Sequence, residues 1–166
     1  MIKPGSIYMH YKKKLYNVIG TVNLLDNPEE HVLYSSMYLP KKTWLRPKNM
    51  FLENIESGKR FTCITNHLNV GNLQEIENYY QALDDLNFDG DKEETINLYL
   101  DRNMQPDKIQ MNNDVYNFMK YIYPTFGYLK CIGKATHTEN ENTYFIFKKD
   151  SKLVGIKYEI ITNKKE

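Results

Sequence analysis

The spacing of apolar residues changes twice along this chain, and that change limits the fold more than any other feature. Near the N-terminus, Ser6–Tyr11, Leu15–Asn23, His31–Tyr38 and Thr43–Arg46 are short runs rich in Tyr, Val and Ile. They are broken by the turn-prone Lys12-Lys13-Lys14, Asp26-Asn27-Pro28 and Pro40. Several short strands at this spacing predict a small barrel or a strongly bent sheet. In the middle, Leu73, Ile76, Tyr80 and Leu83 recur at helical spacing behind Asn72, a suitable N-cap. A second helix is predicted from Lys92 to about Arg102. A third is predicted from Asn112 or Asn113, with Val115, Met119 and Ile122 on one face and Pro124 ending it. After Gly127, the runs Tyr128–Thr138, Thr143–Lys149 and Leu153–Thr162 predict three strands. Glu139–Asn142 and Asp150-Ser151 join them, so an antiparallel meander is the simplest arrangement. The expected class is α+β: a small β-barrel module over residues 1–66, then an α+β region over 67–166 with about three helices and the C-terminal three-stranded meander.

Charge follows the same boundaries. The 166 residues carry 22 Lys and Arg against 21 Asp and Glu, for a formal net charge of +1. Locally the balance is +5 over residues 1–66, −7 over 67–126 and +3 over 127–166. An acidic segment therefore sits between two basic ones, and fields at a surface depend on such local sums. No apolar run approaches the roughly 20 residues of a membrane helix, and no signal-peptide h-region is evident at the N-terminus. No membrane association and a cytoplasmic location are the expectations. Cys63 and Cys131 stand in no C-x-x-C pair, so two buried thiols are expected, with neither a disulfide framework nor a thiolate metal site.

Signatures of catalysis are missing: the chain has no G-x-S-x-G, no Gly-rich phosphate loop followed by Lys-Ser/Thr and no H-E-x-x-H. The four histidines, His10, His31, His67 and His137, are scattered singly. Asp85-Leu86-Asn87-Phe88-Asp89-Gly90 opens like a calcium loop, but position 12, which should present a bidentate carboxylate, is Ile96. The bland reading is an interhelical turn with Gly90 left-handed and Asp91 capping the next helix. No metal and no cofactor are therefore expected. Two surfaces remain as candidates for recognition. Tyr8, His10, Tyr11, Trp44 and Arg46 form an aromatic and basic set of the kind that lines ligand grooves, although each also suits a structural core. Asp84, Asp85, Asp89, Asp91, Glu93 and Glu94 form an acidic set that could dock a basic partner, although such clusters are usually solvated faces. Lys12-Lys13-Lys14, Lys41-Lys42, Arg46 and Lys48 could track phosphates, which keeps nucleic-acid binding open.

A family resemblance is carried by Pro4-Gly5, Tyr8, His10-Tyr11-Lys12, Tyr16 and Val18-Ile19-Gly20, followed by Tyr34 and Tyr38, then Trp44-Leu45-Arg46-Pro47, Met50-Phe51 and Glu53. This pattern resembles the bacterial and phage family called domain of unknown function 1653, over about Lys3 to Phe61. The resemblance implies a compact, SH3-like β module and no established chemistry. Members usually carry a His-Ser-Glu-Thr stretch after the second strand, where this chain has Asn23-Leu24-Leu25-Asp26-Asn27-Pro28. The residues after His67 resemble no family.

The functional expectation is binding without catalysis. The Lys-, Asn- and Ile-rich vocabulary points to an AT-rich genome, and the resembled family includes phage members. A phage or mobile-element accessory protein follows, one that inhibits a host defence system by binding a protein or sequestering a small nucleotide. The alternatives are a nucleic-acid-binding module and a nucleotide-metabolism accessory or enzyme using His10 with Glu53.

Overall fold

A computed structural model describes residues 2–65, 77, 81, 84, 85, 88, 90, 91, 94, 109, 111–127 and 130–161. Its strands are β1 (Ile7–His10), β2 (Leu15–Leu24), β3 (Asn27–Ser36), β4 (Thr43–Pro47), β5 (Asn54–Ile55), β6 (Gly58–Lys59), β7 (Phe61–Thr65), β8 (Lys130–His137), β9 (Thr143–Lys149) and β10 (Lys152–Lys157). Eight of them form one sheet in the order β10-β9-β8-β4-β3-β2-β1-β7, and β10 also pairs with β2. That last pairing closes β2, β3, β4, β8, β9 and β10 into a six-stranded barrel, from which β1 and β7 extend. The fold is mixed α+β and mostly strands.

Half of the barrel comes from each end of the chain. β2–β4 and β8–β10 are both antiparallel runs, and they meet through two parallel pairings, Trp44 and Leu45 with Thr136 and His137, and Leu153–Gly155 with Val22–Leu24. The barrel expected of residues 1–66 alone is thus completed by the C-terminal meander, because a curved sheet of three strands leaves two open edges to satisfy. Gly155 permits one of these closures: a side chain there would run into Leu24.

Alternation along the strands builds three apolar layers. Val22, Leu24, Leu33, Leu45, Ala135, Tyr144 and Ile146 fill the barrel. On the outer face of β2–β4, Tyr8, Val18, Val32, Tyr34, Phe51 and Phe61 form a second layer. A bulge between Val18 and Gly20 lets β2 serve both, since one extra residue reverses which face the following side chains take. The third layer lies outside β8–β10, where Phe145, Phe147 and Ile156 meet Val115, Phe118 and Ile122 of the helix Asn113–Phe126. β9 is covered on both faces, which is why Tyr144, Phe145, Ile146 and Phe147 are all buried in succession.

Asn112 caps that helix by accepting from the Val115 N–H at 2.9 Å, and Gly127 ends it at φ 83°. The helix runs two residues past Pro124, contrary to expectation, because a proline in the last turn removes only one hydrogen bond. Phe118 is buried at 2% exposure while Met119 packs only partly, so the inward face is rotated from the one expected. Three strands had no sequence signal strong enough to expect: the small hairpin β5–β6 and the edge strand β7. Cys63 is exposed on β7, against the expectation of a buried thiol, since an edge strand is covered on one face only; Cys131 is half-buried. Of the two helices expected between residues 72 and 102, Glu77, Gln81 and Glu94 are helical and most other positions lie outside the described residues. Asp84 and Asp85 are helical too, although Asp85 is expected to open the interhelical turn, while Phe88, Gly90 and Asp91 are not helical. Among the described residues no helix is long and apolar enough to cross a membrane.

Candidate functional site

The outer layer over β2–β4 is not closed. Tyr16 on β2, Tyr34 on β3, and Trp44 and Arg46 on β4 point to the same side, because Tyr34 is paired directly with Trp44 and all four share one parity of the pleat. His10 from β1, Phe61 from β7, Tyr38 and Thr138 complete the rim of a cavity of about 250 Å³.

Aromatic rings wall this cavity edge to face. Tyr16 meets Tyr34 at 5.3 Å between centroids, Tyr38 at 5.7 Å and Phe61 at 5.8 Å. The short helix Lys48–Phe51, which Pro47 forces by ending β4, drops Phe51 against Phe61, stacked at 4.1 Å. The Arg46 guanidinium is held at 5.8 Å from the Phe61 ring, and its Nε donates to the Tyr34 hydroxyl at 3.1 Å. Its terminal nitrogens meet no carboxylate among the described residues. The Thr138 hydroxyl is shut off from solvent and has no hydrogen-bond partner among the described residues.

Electrostatics favour an anion. Burial, and then the charges of Arg46, Arg60, Lys12 and Lys14, push the His10 imidazole down to about 4, so it is neutral near pH 7. Its Nδ1 accepts from the Lys12 N–H at 3.2 Å, which places the ring proton on Nε2. Burial raises Tyr16, helped by its 2.8 Å hydrogen bond to Tyr38, and burial also raises Tyr34 against the opposing pull of Arg46. Both phenols therefore stay protonated as donors. A permanent cation, neutral donors and flat walls with no lining carboxylate among the described residues suit a planar molecule carrying negative charge.

Of the aromatic-basic set expected from sequence, His10, Trp44 and Arg46 come together in this cavity. Tyr8 instead lies in the closed part of the layer, 7% exposed and edge-on to Phe51 at 5.1 Å. Tyr11 is exposed outside the rim, its ring 4.3 Å from His10. Glu53, considered as a partner for His10, is engaged by Arg60 at 2.9 Å. Tyr16, Tyr34 and Tyr38 stand in the family-like motif but not in the set expected to face a ligand, and neither Phe61 nor Thr138 is in that set. The pleat parity shared with Trp44 could have found Tyr34, but nothing local signals Thr138.

Of the acidic set, Asp89 and Glu93 lie outside the described residues. Asp84, Asp85 and Asp91 are exposed and Glu94 is half-buried. Asp91 accepts from the Glu94 N–H at 3.0 Å, the helix cap that its position suggested. Gly90 is not left-handed, contrary to the turn geometry expected; a side chain there would collide with the Phe88 ring. Asp91 and Glu94 also face Lys13, Lys14 and Tyr38 across a cavity of about 220 Å³.

The histidines that looked isolated are not all so. His31 and His137, 0% and 2% exposed, join through their Nε2 atoms at 3.0 Å. The Glu139 N–H donates to His137 Nδ1 at 3.2 Å, so the His137 proton sits on Nε2 and is given to His31. His31 then donates from Nδ1 to the Glu29 carbonyl at 2.9 Å. Every ring nitrogen is satisfied with both imidazoles neutral, and His137 is held below its ordinary value by burial and by His31. Beside the pair, Tyr144 donates to Asp26 at 3.0 Å and is pushed up to about 12 by burial and by that carboxylate.

Residues 6–62 match the family described as "Protein of unknown function (DUF1653)", the family that the N-terminal motifs resemble. No curated protein and no solved structure matches the chain. Every residue of the cavity rim except Thr138 falls within the matched stretch.

Proposed function

We propose that this protein binds a small nucleotide in the aromatic cavity and releases it chemically unchanged. The observation that carries this reading is the Arg46 guanidinium, oriented by Tyr34 inside a box of aromatic rings that no carboxylate among the described residues lines. A nucleobase fills the space between Tyr16, Tyr34, Trp44 and Phe61, and the phosphate pairs with the terminal nitrogens of Arg46 in a planar fork. The Tyr34 hydroxyl, which accepts from Arg46, keeps its own proton as a donor that fixes the nucleotide's orientation.

Such a module fits an accessory role in the cytoplasm of a cell carrying a phage or mobile element, where withdrawing a nucleotide would silence a host defence. The SH3-like character implied by the N-terminal motifs and the three-helix middle belong to this reading as its frame. The acidic residues Asp84, Asp85, Asp89, Asp91, Glu93 and Glu94 give the same role a protein-docking arm. Reversing Asp84, Asp85 and Glu94 to Lys should abolish capture of a basic protein partner while leaving the aromatic cavity competent.

Trp44 is the chain's single tryptophan and lines the cavity, so its fluorescence reports on occupancy. The four ribonucleoside 5′-monophosphates should quench it saturably, and the corresponding nucleosides should bind at least about tenfold more weakly because they lack the charge that Arg46 meets. Arg46→Gln should remove that difference. Chromatography of the ligand after prolonged incubation should return it intact. Failure of every monophosphate to bind, or conversion of any of them, would overturn the reading. Tighter binding of oligonucleotides with a steep salt slope would favour a nucleic-acid module instead.

A further inference from the structure

Beside the aromatic cavity lies a larger one of about 510 Å³, and the two share Trp44 and Thr138. Its floor is a row across three neighbouring strands: Trp44 on β4 pairs with Thr136 on β8, and Thr136 pairs with Thr143 on β9. Lys134 stands two residues along β8 on the same face, Lys42 holds its ammonium 5.8 Å from the Trp44 ring, and Glu141 sits at the edge. Among the described residues, the lining thus holds two ammonium groups against one carboxylate, with three threonines and no ring besides the shared indole.

We infer that this groove receives the terminal phosphates of a nucleoside triphosphate whose base occupies the aromatic cavity. The inference rests on the nucleotide reading above and names the subclass of ligand. Its chemistry follows from what changes on passing Trp44. On one side the walls are aromatic, which suits stacking; on the other they are hydroxyls and amines, which suit phosphate oxygens and offer a second base nothing to stack on. Thr138 and Trp44 line both cavities and so mark the junction, where the chain between base and terminal phosphates would cross.

Titration of Trp44 fluorescence in EDTA, with each ribonucleoside 5′-monophosphate against its triphosphate, tests this. The triphosphate of the preferred base should bind at least about tenfold tighter than the monophosphate. Lys134→Gln should bring that ratio close to one without changing monophosphate affinity, and Lys134→Arg should restore it. Thr143→Val, a near-isosteric change on the same row, should lower the ratio by a smaller factor. Monophosphate binding with no gain from further phosphates would sink the groove assignment and leave the nucleotide reading standing. No binding of either would remove both, and a gain that survives Lys134→Gln would place the terminal phosphates elsewhere.

Discussion

Two coverings of one barrel differ in kind. Outside β8–β10, the helix Asn113–Phe126 brings Val115, Phe118 and Ile122 against Phe145, Phe147 and Ile156, and the layer is almost purely hydrocarbon. Outside β2–β4, the covering from β1, β7 and the Lys48–Phe51 helix is just as aromatic, but its outer half carries phenols, an imidazole and a guanidinium. The first layer seals. The second seals around Tyr8, Phe51 and Val32 and then opens into a cavity. Polar atoms on large rings are expensive to bury without partners, so a sheet face that keeps them is arranged around something other than packing.

The contrast can be broken most forcefully on the sealed side. Phe118→Ala should lower unfolding stability by about 3–5 kcal/mol in denaturant titrations, because a fully packed ring leaves a cavity. The folded fraction should still show the Trp44 response; loss below about 1 kcal/mol would mean that the helix is not part of the seal.

The neutral histidine pair inside the barrel tests whether polar burial can also be structural. His137→Ala strips His31 Nε2 and the Glu139 N–H of their partner, and should cost about 1–3 kcal/mol with no effect on nucleotide binding. The pair also sets an acid dependence. His137 is held below 6.5 by burial, then by His31 and Arg46, against the opposing Glu139 and Asp26. The unfolded chain takes up this proton near the ordinary value, so stability is full above about pH 7 and falls as pH drops below 6.5. His10 acts with the same sign down to about 4. Chemical denaturation at pH 7.5 and 5 should therefore show a weaker fold in acid, and His137→Ala should flatten that slope without abolishing it.

Tyr34→Phe sharpens the comparison from the open side. It removes the acceptor of Arg46 Nε from a ring 2% exposed, at a cost of about 1 kcal/mol in stability. The larger consequence should appear in nucleotide affinity, since the guanidinium loses its orienting bond. At the bottom of the scale, Lys48→Ala breaks a 3.1 Å pair with Glu30 whose side chains are 35% and 46% exposed, and should change stability by less than about 0.5 kcal/mol.

Much of this architecture can be read from periodicity. The strand runs at Leu15, Thr43 and Thr143 begin where the sequence places them, Asp150-Ser151 forms the tight connection between β9 and β10, and Asn112 caps the helix Asn113–Phe126. These features are local: a turn residue, a cap or an alternating run acts over a few bonds. The site was half legible for the same reason. Trp44 and Arg46 advertise themselves by residue type and His10 by its aromatic neighbours. Tyr16 and Tyr34 stand in the family-like motif, but only strands placed side by side show that they share a face with Trp44.

Local chemistry in the sequence determined where strands and the capped helix begin, and which side chains could face one another along a pleat. Only the tertiary structure decided that strands from the two ends close a single barrel, that Thr138 reaches a pocket built almost wholly from the first 61 residues, and that His31 meets His137 across 106 positions. Strand pairing between distant segments depends on edges, bulges and the room left by a glycine such as Gly155, and these act through space after the chain has folded back on itself.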